Sequence, residues 1–469
     1  MNRVAIVGGG LSGLALAHAL LRRTTPDLPI EVSVFESERR AGGLLRTERV
    51  DGFLCEHGPS SFLDRAPATI ALVEALGLTS RLQRSHDRAR RRFIYRGGRL
   101  RAVPASPPGL FTSGLLSLPG ALRLILEPLV RRPAAVADES IHAFAARRFG
   151  EQAAAVLADA MVSGIFCGDA RQLSMRACFP AVVRMETEHG SVVRAMLARR
   201  GSTGDRGRQG LGRLTSFPEG IAELAEALTH SLGPNLRLST GVERLQSVGA
   251  CHQLTLSDGR SVVADAVVIT AGGAATARLL AHTDATLAAD LTAIPSAPMV
   301  TVCLGYPAGA IGHRLEGFGF LAPRSAGLQL LGVLWESSIF ADRAPAGHVL
   351  LRVMVGGATD PGAVDLDDER LLARVRAELR ATMQVTGHPR LVRIIRHRPG
   401  LPQYVTGHGE RLARIESALE RRPGLFVGGH AFRGVGINAC IEDASLLADR
   451  VIGMLTRRGG RLTGITRPD

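Results

Sequence analysis

The sequence contains no lysine. Its basic side chains are all arginine, 57 against 43 carboxylates, for a formal net charge of +14. Such a surface suits nucleic acid, anionic lipid or an acidic small molecule. Aromatic residues are scarce at 4%, with one Trp (Trp335) and three Tyr (Tyr95, Tyr306, Tyr404). Few rings are present for bases to stack on and no nucleic-acid motif occurs, so no nucleic-acid partner is expected. The six cysteines (Cys55, Cys167, Cys178, Cys251, Cys303, Cys440) form no CxxC pair and none sits beside a His at metal spacing. No metal site is expected, and the thiols read as reduced and buried in a cytoplasmic protein. No stretch is long and apolar enough to span a membrane. The apolar run after Met1-Asn2-Arg3 imitates a secretion signal, but glycines interrupt it, so none is expected. Paired carboxylates, a Ser/His/Asp set and internal repeats are likewise missing.

What is present begins with Val4-Ala5-Ile6-Val7, an apolar run that predicts a buried strand. Gly8-Gly9-Gly10-Leu11-Ser12-Gly13 follows and fits GxGxxG at Gly8, Gly10 and Gly13. Leu14 to Leu21 is Ala/Leu-rich and predicts a helix. Gly8 permits a tight turn, Gly10 lets backbone approach a pyrophosphate, and Gly13 lets helix pack on strand. The helix N-terminus then offers free N–H groups and a positive dipole end to phosphate. A second strand, Glu31 to Phe35, ends at Glu36, close to the separation expected of an acid that grips a ribose hydroxyl. A dinucleotide site is the reading, against an ordinary strand–helix loop that binds nothing.

The chain is long enough for two or three domains at 469 residues and 45% hydrophobic. Asp51 to Phe62 predicts a strand entering a tight turn, and Ala66 to Gly77 a helix closed by glycine. Arg81 to Arg101 is dense in arginine and reads as a solvated face, with Phe93 and Tyr95 in strand-like alternation. Val103 to Val130 holds short apolar helices broken by Pro and Gly and flanked by Arg. A membrane surface, an apolar channel mouth and a plain helical core all fit it. Ser140 to Asp159 and much of Phe179 to Arg199 predict helix. Gly201 to Gly212 predicts a surface loop or disordered segment. Phe217 to Leu232 predicts a helix, and Asn235 to Leu245 strand, turn, strand. Gln253 to Val263 predicts a hairpin around Asp258-Gly259. Ala264 to Thr270 predicts a buried strand, with a helix starting at Ala271-Gly272-Gly273. Met299 to Gly357 predicts an antiparallel sheet and Asp367 to Thr386 a long helix. Leu425 to Gly429 predicts a last buried strand and Asn438 to Leu455 a last helix.

The acid followed by Arg and a Gly-Gly pair, Glu36-Ser37-Glu38-Arg39-Arg40-Ala41-Gly42-Gly43, is similar to the flavoprotein form of this motif in the amine oxidase superfamily. FAD is therefore favoured over NAD. Further stretches run end to end: GFLCEHGPSSFLDR, VSGIFCGDARQLS, EGFGFLAP, VMVGGATDPG, LPQYVTGH and LFVGGHAFRGVGINACIEDA. With them the chain resembles the oxygen-dependent protoporphyrinogen/coproporphyrinogen oxidases; LPQYVTGH and VSGIFCGD are the more particular matches. The resemblance implies an α/β (α+β) protein with a Rossmann-like FAD-binding domain. An antiparallel-sheet substrate domain and a helical membrane-facing domain complete it. The implied boundaries are 1–80, 213–285 and 405–469 for FAD, 90–212 for the helices, and 286–404 with parts of 50–100 for substrate.

The resemblance also implies roles. FAD would be held by Gly8, Gly9, Gly10, Leu11, Ser12 and Gly13, by Glu36 and Ser37, and by Gly43, Leu44 and Arg46. His57, Gly58, Pro59 and Ser60 would lie beside the isoalloxazine, and Val242 would meet the adenine through its backbone. Gly429, Val435, Gly436 and Ile437 would close over pyrophosphate and flavin. Leu321 and Met354 would clamp the substrate's two faces, Leu334 would line the pocket, and Gly164 and Ile165 would lie near the pyrroles and the reacting carbon. No catalytic side chain is implied, because hydride would pass to flavin N5 and then to O2, giving H2O2. Eukaryotic members carry Arg where this chain has Ser60, so the anchor for substrate carboxylates stays open. Protoporphyrinogen and coproporphyrinogen both remain open as substrates, as do monomer and homodimer, and peripheral contact with the inner face of the cytoplasmic membrane.

Three rivals compete. Amine oxidases commonly place a Lys near the flavin and cage the amine with aromatics; this chain has no Lys and few aromatics. A carotenoid desaturase would not account for LPQYVTGH. A carrier that has lost flavin would not need Glu36 and both glycine-rich ends.

Overall fold

The computed structural model describes residues 1–104, 107–132, 137–202 and 212–463. At its centre is a five-stranded parallel sheet ordered Leu236–Arg237, Ile30–Phe35, Asn2–Val7, Ala266–Ile269, Leu425–Val427. Its strands come from three distant parts of the chain. The apolar runs are continuous because both faces are covered. Val4 and Ile6 face the helices Leu11–Arg22, Ala222–Leu232 and Ile437–Thr463. Ala5 and Val7 face Leu254, Leu256, Leu287 and Leu291 on the other side. Leu254 and Leu256 belong to the expected hairpin, Cys251–Leu256 with Ser261–Ala264.

A seven-stranded sheet is ordered Leu391–Pro402, Ser296–Pro307, His348–Gly356, Leu330–Trp335, Gly319–Leu321, Phe93–Arg96, Arg99–Ala102. It is antiparallel except where Gly319–Leu321 runs parallel to Phe93–Arg96, a mixed pairing the sequence did not suggest. Alternate residues bury one face: Val302, Val333, Trp335, Leu351 and Val353 pack on Leu371, Val375, Leu379 and Met383 of the helix Asp368–Met383. That helix starts where expected, with Asp367 accepting from the Arg370 N–H. It stops three residues early, because Gln384 turns left-handed (φ 55°) and Val385 bridges to Ile311. The other face packs partly on the helix Asp159–Phe166, through Gly164 and Leu321, and partly on Phe53, Cys55 and Ala89.

Those helices depart from expectation. The helix from Ser140 breaks at Gly150, whose φ of 96° excludes helical continuation. Winding resumes from Glu151 and runs through a π-turn, Ala154–Ala158, to Phe166. Arg148 is 0% exposed and bonds Glu127, the Val130 carbonyl (2.9 Å) and the Gly190 carbonyl (2.8 Å). Glu127 in turn accepts from the N–H groups of Val192 (3.1 Å) and Val193 (3.2 Å), starting the helix Val192–Ser202. The buried charges are thus paired and hydrogen-bonded, the condition under which they are tolerated. The loop expected over 201–212 lies mostly outside the described residues, and the helix takes its first two. The helix expected from Phe217 begins instead at Ala222, since Leu214–Ser216 is a strand and Pro218 and Gly220 (φ 95°) form the entry turn.

Candidate functional site

The glycine turn is shaped by collisions it avoids. A Cβ on Gly13 would strike the Gly8 carbonyl oxygen, so the helix can lie on the strand only with glycine there. Gly8 has φ 110°, and its carbonyl accepts from Thr270 Oγ1 (3.1 Å) on the neighbouring strand. A Cβ on Gly9 would lie 2.9 Å from that of Glu36, whereas one on Gly10 would meet nothing within 4 Å. The turn is closed behind and open in front. The helix Leu11–Arg22 starts directly at Gly10, three residues earlier than expected, with no side-chain cap and no acid in its first turn. Its first N–H groups and positive end are left for an anion. Leu11 is buried in the core and Ser12 Oγ contacts Cys440, so both can offer only backbone outward.

Glu36 accepts from the Gly9 N–H (2.7 Å) and the Glu38 N–H (2.9 Å), leaving further lone pairs for ligand hydroxyls. Ser37 is exposed beside it, a Cβ on Gly241 would stand 3.5 Å from the Ser37 Cβ, and the Thr240 N–H donates to the Glu36 carbonyl (2.8 Å), so the segment leading to Val242 runs alongside the acid. The Gly-Gly pair abuts the first turn: the Gly42 N–H donates to Gly9 O (2.7 Å), and a Cβ on Gly43 would lie 3.2 Å from Gly10 Cα. Arg40, not singled out from the sequence, folds this segment by donating to the carbonyls of Ala41 (2.9 Å), Leu45 (3.1 Å) and Gly43 (2.6 Å). Arg46 is exposed. Its carbonyl accepts from the His57 N–H (2.9 Å), and a Cβ on Gly58 would strike the Leu44 carbonyl. Residues 43–46 and 57–60 are therefore one surface.

The C-terminal glycines arrive at the same place. A Cβ on Gly429 (φ 93°) would be 3.1 Å from Ser12 Oγ, so the two glycine-rich ends touch. Gly436 has open space in front of it and directly precedes the helix from Ile437. Val435 packs toward the helical cluster of Phe166 and Phe179. Gly428 serves packing, since its Cβ would strike Leu447. LPQYVTGH joins these parts: Gln403 Nε2 donates to Phe166 O (2.9 Å), Tyr404 donates to His430 O, and His408 Nε2 donates to Phe432 O (3.0 Å). Burial lowers the pKa of His408 and of His430, keeping both rings neutral.

On the face of the seven-stranded sheet away from the helix Asp368–Met383, register puts Leu321, Gly332, Met354 and Thr301 in one row. Gly332 has no side chain, and Leu321 leans into the space it leaves: a Cβ there would lie 2.9 Å from Leu321 Cδ2, and Leu321 packs on the cluster that holds Met354. A Cβ on Gly164 would lie 2.6 Å from Leu321 Cδ2, so the helix end carrying Gly164 and exposed Ile165 covers that row. Met354 packs with Cys167, Met299 and Leu331. Leu334 is one row away and packs on Ala89, Ile339 and Phe340 instead. Between Leu334 and Cys303 in that second row stands Arg352, which sequence reading missed. It is buried and donates to Gly58 O and to Ser60 Oγ (3.2 Å). The period-2 spacing from Met354 was the available signal.

His57 presents its carbonyl to His397 Nε2–H (2.9 Å); its own pKa is lowered by burial and then by Arg46, with Glu48 opposing. Glu56, one residue before the turn, is raised to about 7, chiefly by burial. Burial also lifts the thiols, Cys167 and Cys178 to about 12 and Cys440 to about 11, which leaves them unreactive. Among the described residues no cluster could hold a metal ion. The open glycine cradle, the uncapped helix start and the acid with spare lone pairs fit a dinucleotide pyrophosphate and ribose. The apolar row of Leu321 and Met354 is tied to it through Arg352 in the adjacent row.

Comparison with known proteins agrees. The chain is 30% identical over 452 residues to a coproporphyrinogen III oxidase of Bacillus subtilis, covering 94% of this chain and 96% of that one. It is 33% identical over 481 residues to a chloroplastic protoporphyrinogen oxidase of Oryza sativa, covering 96% and 88%. Among solved structures, a protein of Exiguobacterium sp. provisionally assigned as a protoporphyrinogen oxidase superposes with TM-score 0.82 at 27% identity, over 96% and 98% of the chains. A cyclohexylamine oxidase of Brevibacterium oxydans shares the fold at TM-score 0.69 and 19% identity, over 97% and 100%. Residues 11–452 match the flavin containing amine oxidoreductase family, and the chain belongs to it.

Proposed function

We propose that this protein oxidises a porphyrinogen to the porphyrin, protoporphyrinogen IX to protoporphyrin IX, as a late step of haem synthesis. FAD is the cofactor, and O2 the final acceptor. The supporting observation is one juxtaposition: the apolar row Leu321–Gly332–Met354 lies against Gly164, and Arg352 in the next row bonds the Gly58–Ser60 turn beside the glycine cradle. Bound FAD supplies a hydride acceptor, and the overall balance is porphyrinogen with three O2 giving porphyrin with three H2O2.

The protein's own part is orientation. The first turn and Glu36 hold ribose and pyrophosphate, residues 43–46 and 57–60 form the wall at the ring, and Gly429 with Gly436 admit backbone from the far side. Leu321 and Met354 bracket a flat apolar macrocycle, exclude water, and hold one saturated bridge carbon at the wall. No side-chain base is required where the leaving group is a hydride and the cation spreads into the pyrroles.

Coproporphyrinogen III is the second reading. Two bacterial relatives, at 30% and 34% identity, carry that name, and a more carboxylated substrate suits a +14 surface. Offering each porphyrinogen under air and following porphyrin fluorescence separates the two. Porphyrin formation from neither, above autoxidation, removes the proposal. Met354→Asp is expected to abolish turnover and Met354→Leu to keep it; equal rates would take Met354 out of the substrate site.

A membrane surface is the proposed contact of residues 107–132. Leu118 (68% exposed), Leu122, Ile125, Leu126 and Leu129 (72%) form one bare apolar face with Arg131 and Arg132 exposed after it. No helix among the described residues is long and apolar enough to cross a membrane. A cytoplasmic location, peripheral on the inner membrane face, accords with this.

A further inference from the structure

The guanidinium of Arg352 ties two elements that must keep a fixed separation. It is 7% exposed, on the strand His348–Gly356, two residues before Met354 and on the same face of the sheet. Nη1 donates to the Gly58 carbonyl and Nη2 to Ser60 Oγ (3.2 Å). Nε lies 2.8 Å from Glu336 Oε1, close but off the line a hydrogen bond needs, so Glu336 balances the charge as an ion pair. Glu336 is 1% and Ser60 6% exposed. A planar fork with both Nη groups committed to one turn sets distance and angle together, which a Lys ammonium cannot do. For stability alone, apolar packing would serve such a buried site at least as well.

We propose that Arg352 is a positioning residue: it fixes the Gly58–Ser60 turn relative to the Met354 row, and so the gap between the flavin and the bridge carbon of the substrate. The inference rests on the reading that this turn lies beside FAD and the row lines the substrate slot. It predicts an effect on alignment rather than on substrate affinity.

The test uses FAD-loaded Arg352→Met and Arg352→Lys proteins. Two things are measured: kcat and KM for porphyrinogen oxidation, and the absorption and fluorescence of the bound flavin, which need no substrate. Expected for Arg352→Met is a kcat lower by about ten- to a hundredfold with KM within about twofold, and an altered flavin band shape as the turn loosens. Arg352→Lys keeps the charge, loses the fork, and falls between. An unchanged kcat and flavin spectrum, a loss seen only in Tm, or full activity in Arg352→Lys would overturn the proposal. Should Arg352→Met not fold, the Lys variant decides by the same criteria. If the parent protein oxidises no porphyrinogen yet its flavin spectrum responds to Arg352→Lys, the substrate reading fails and the positioning role stands. If parent and variants oxidise porphyrinogen equally, the reverse holds.

Discussion

Single residues here act through what they leave out or hold in. Gly13 leaves out a Cβ that would strike the Gly8 carbonyl, and backbone cannot move aside as a side chain can. Gly13→Ala is expected to lose bound flavin and about 1–3 kcal/mol of stability, read from flavin absorbance per protein and a urea melt. Flavin retained at full occupancy would show that the helix can shift. Glu56 holds in a proton. Burial lifts it to about 7 from 4.5, against the lowering effects of the Thr47 hydroxyl, the Ile221 N–H and Arg343. Between those values the folded protein keeps a proton the unfolded chain has released. Its contribution is therefore complete below pH 4.5 and is lost as pH rises through 7, on the order of 3 kcal/mol. Glu56→Gln should flatten the fall in Tm between pH 5 and pH 8; an unaltered slope would assign the titration elsewhere.

At the scale of elements, the first turn and its helix were legible because local rules and tertiary demand agree there. Apolar run, glycines and Ala/Leu run each follow from short-range sterics. The element at 107–132 was legible only as an ambiguity, since an apolar stripe reads alike whether a core or a lipid surface covers it. The structure leaves Leu118, Leu122 and Leu129 bare and buries Ala121 beneath them. Replacing Leu118 and Leu122 together by Asp should at least halve co-sedimentation with anionic vesicles and leave the flavin content unchanged. Undiminished binding would shift the membrane contact to another face. Helix ends were misjudged where one residue overrides the pattern, as Gly150 does at φ 96° and Gln384 at φ 55°.

Across the whole molecule, FAD would bridge chain segments near residues 10, 45, 58, 242 and 436. A ligand bound by folded protein alone stabilises it by mass action. Stripping the flavin is expected to lower Tm by several degrees and to speed proteolysis, both reversed by added FAD; an identical Tm would mean the cradle is held together without it. The sequence by itself determined the glycine turns, the acid at Glu36, the buried strands and the likeness to the porphyrinogen oxidases. Those features rest on neighbours within about two turns of chain, or on motifs that survive as strings. Only the tertiary structure decided that Leu321 and Met354 share one row across Gly332 and that Leu334, one row away, packs on Ala89, Ile339 and Phe340. It alone brought Arg352 to Gly58 and Ser60, almost three hundred residues earlier. Cross-strand register and the reach of a buried guanidinium are set by pairing between distant segments, and no local pattern encodes them.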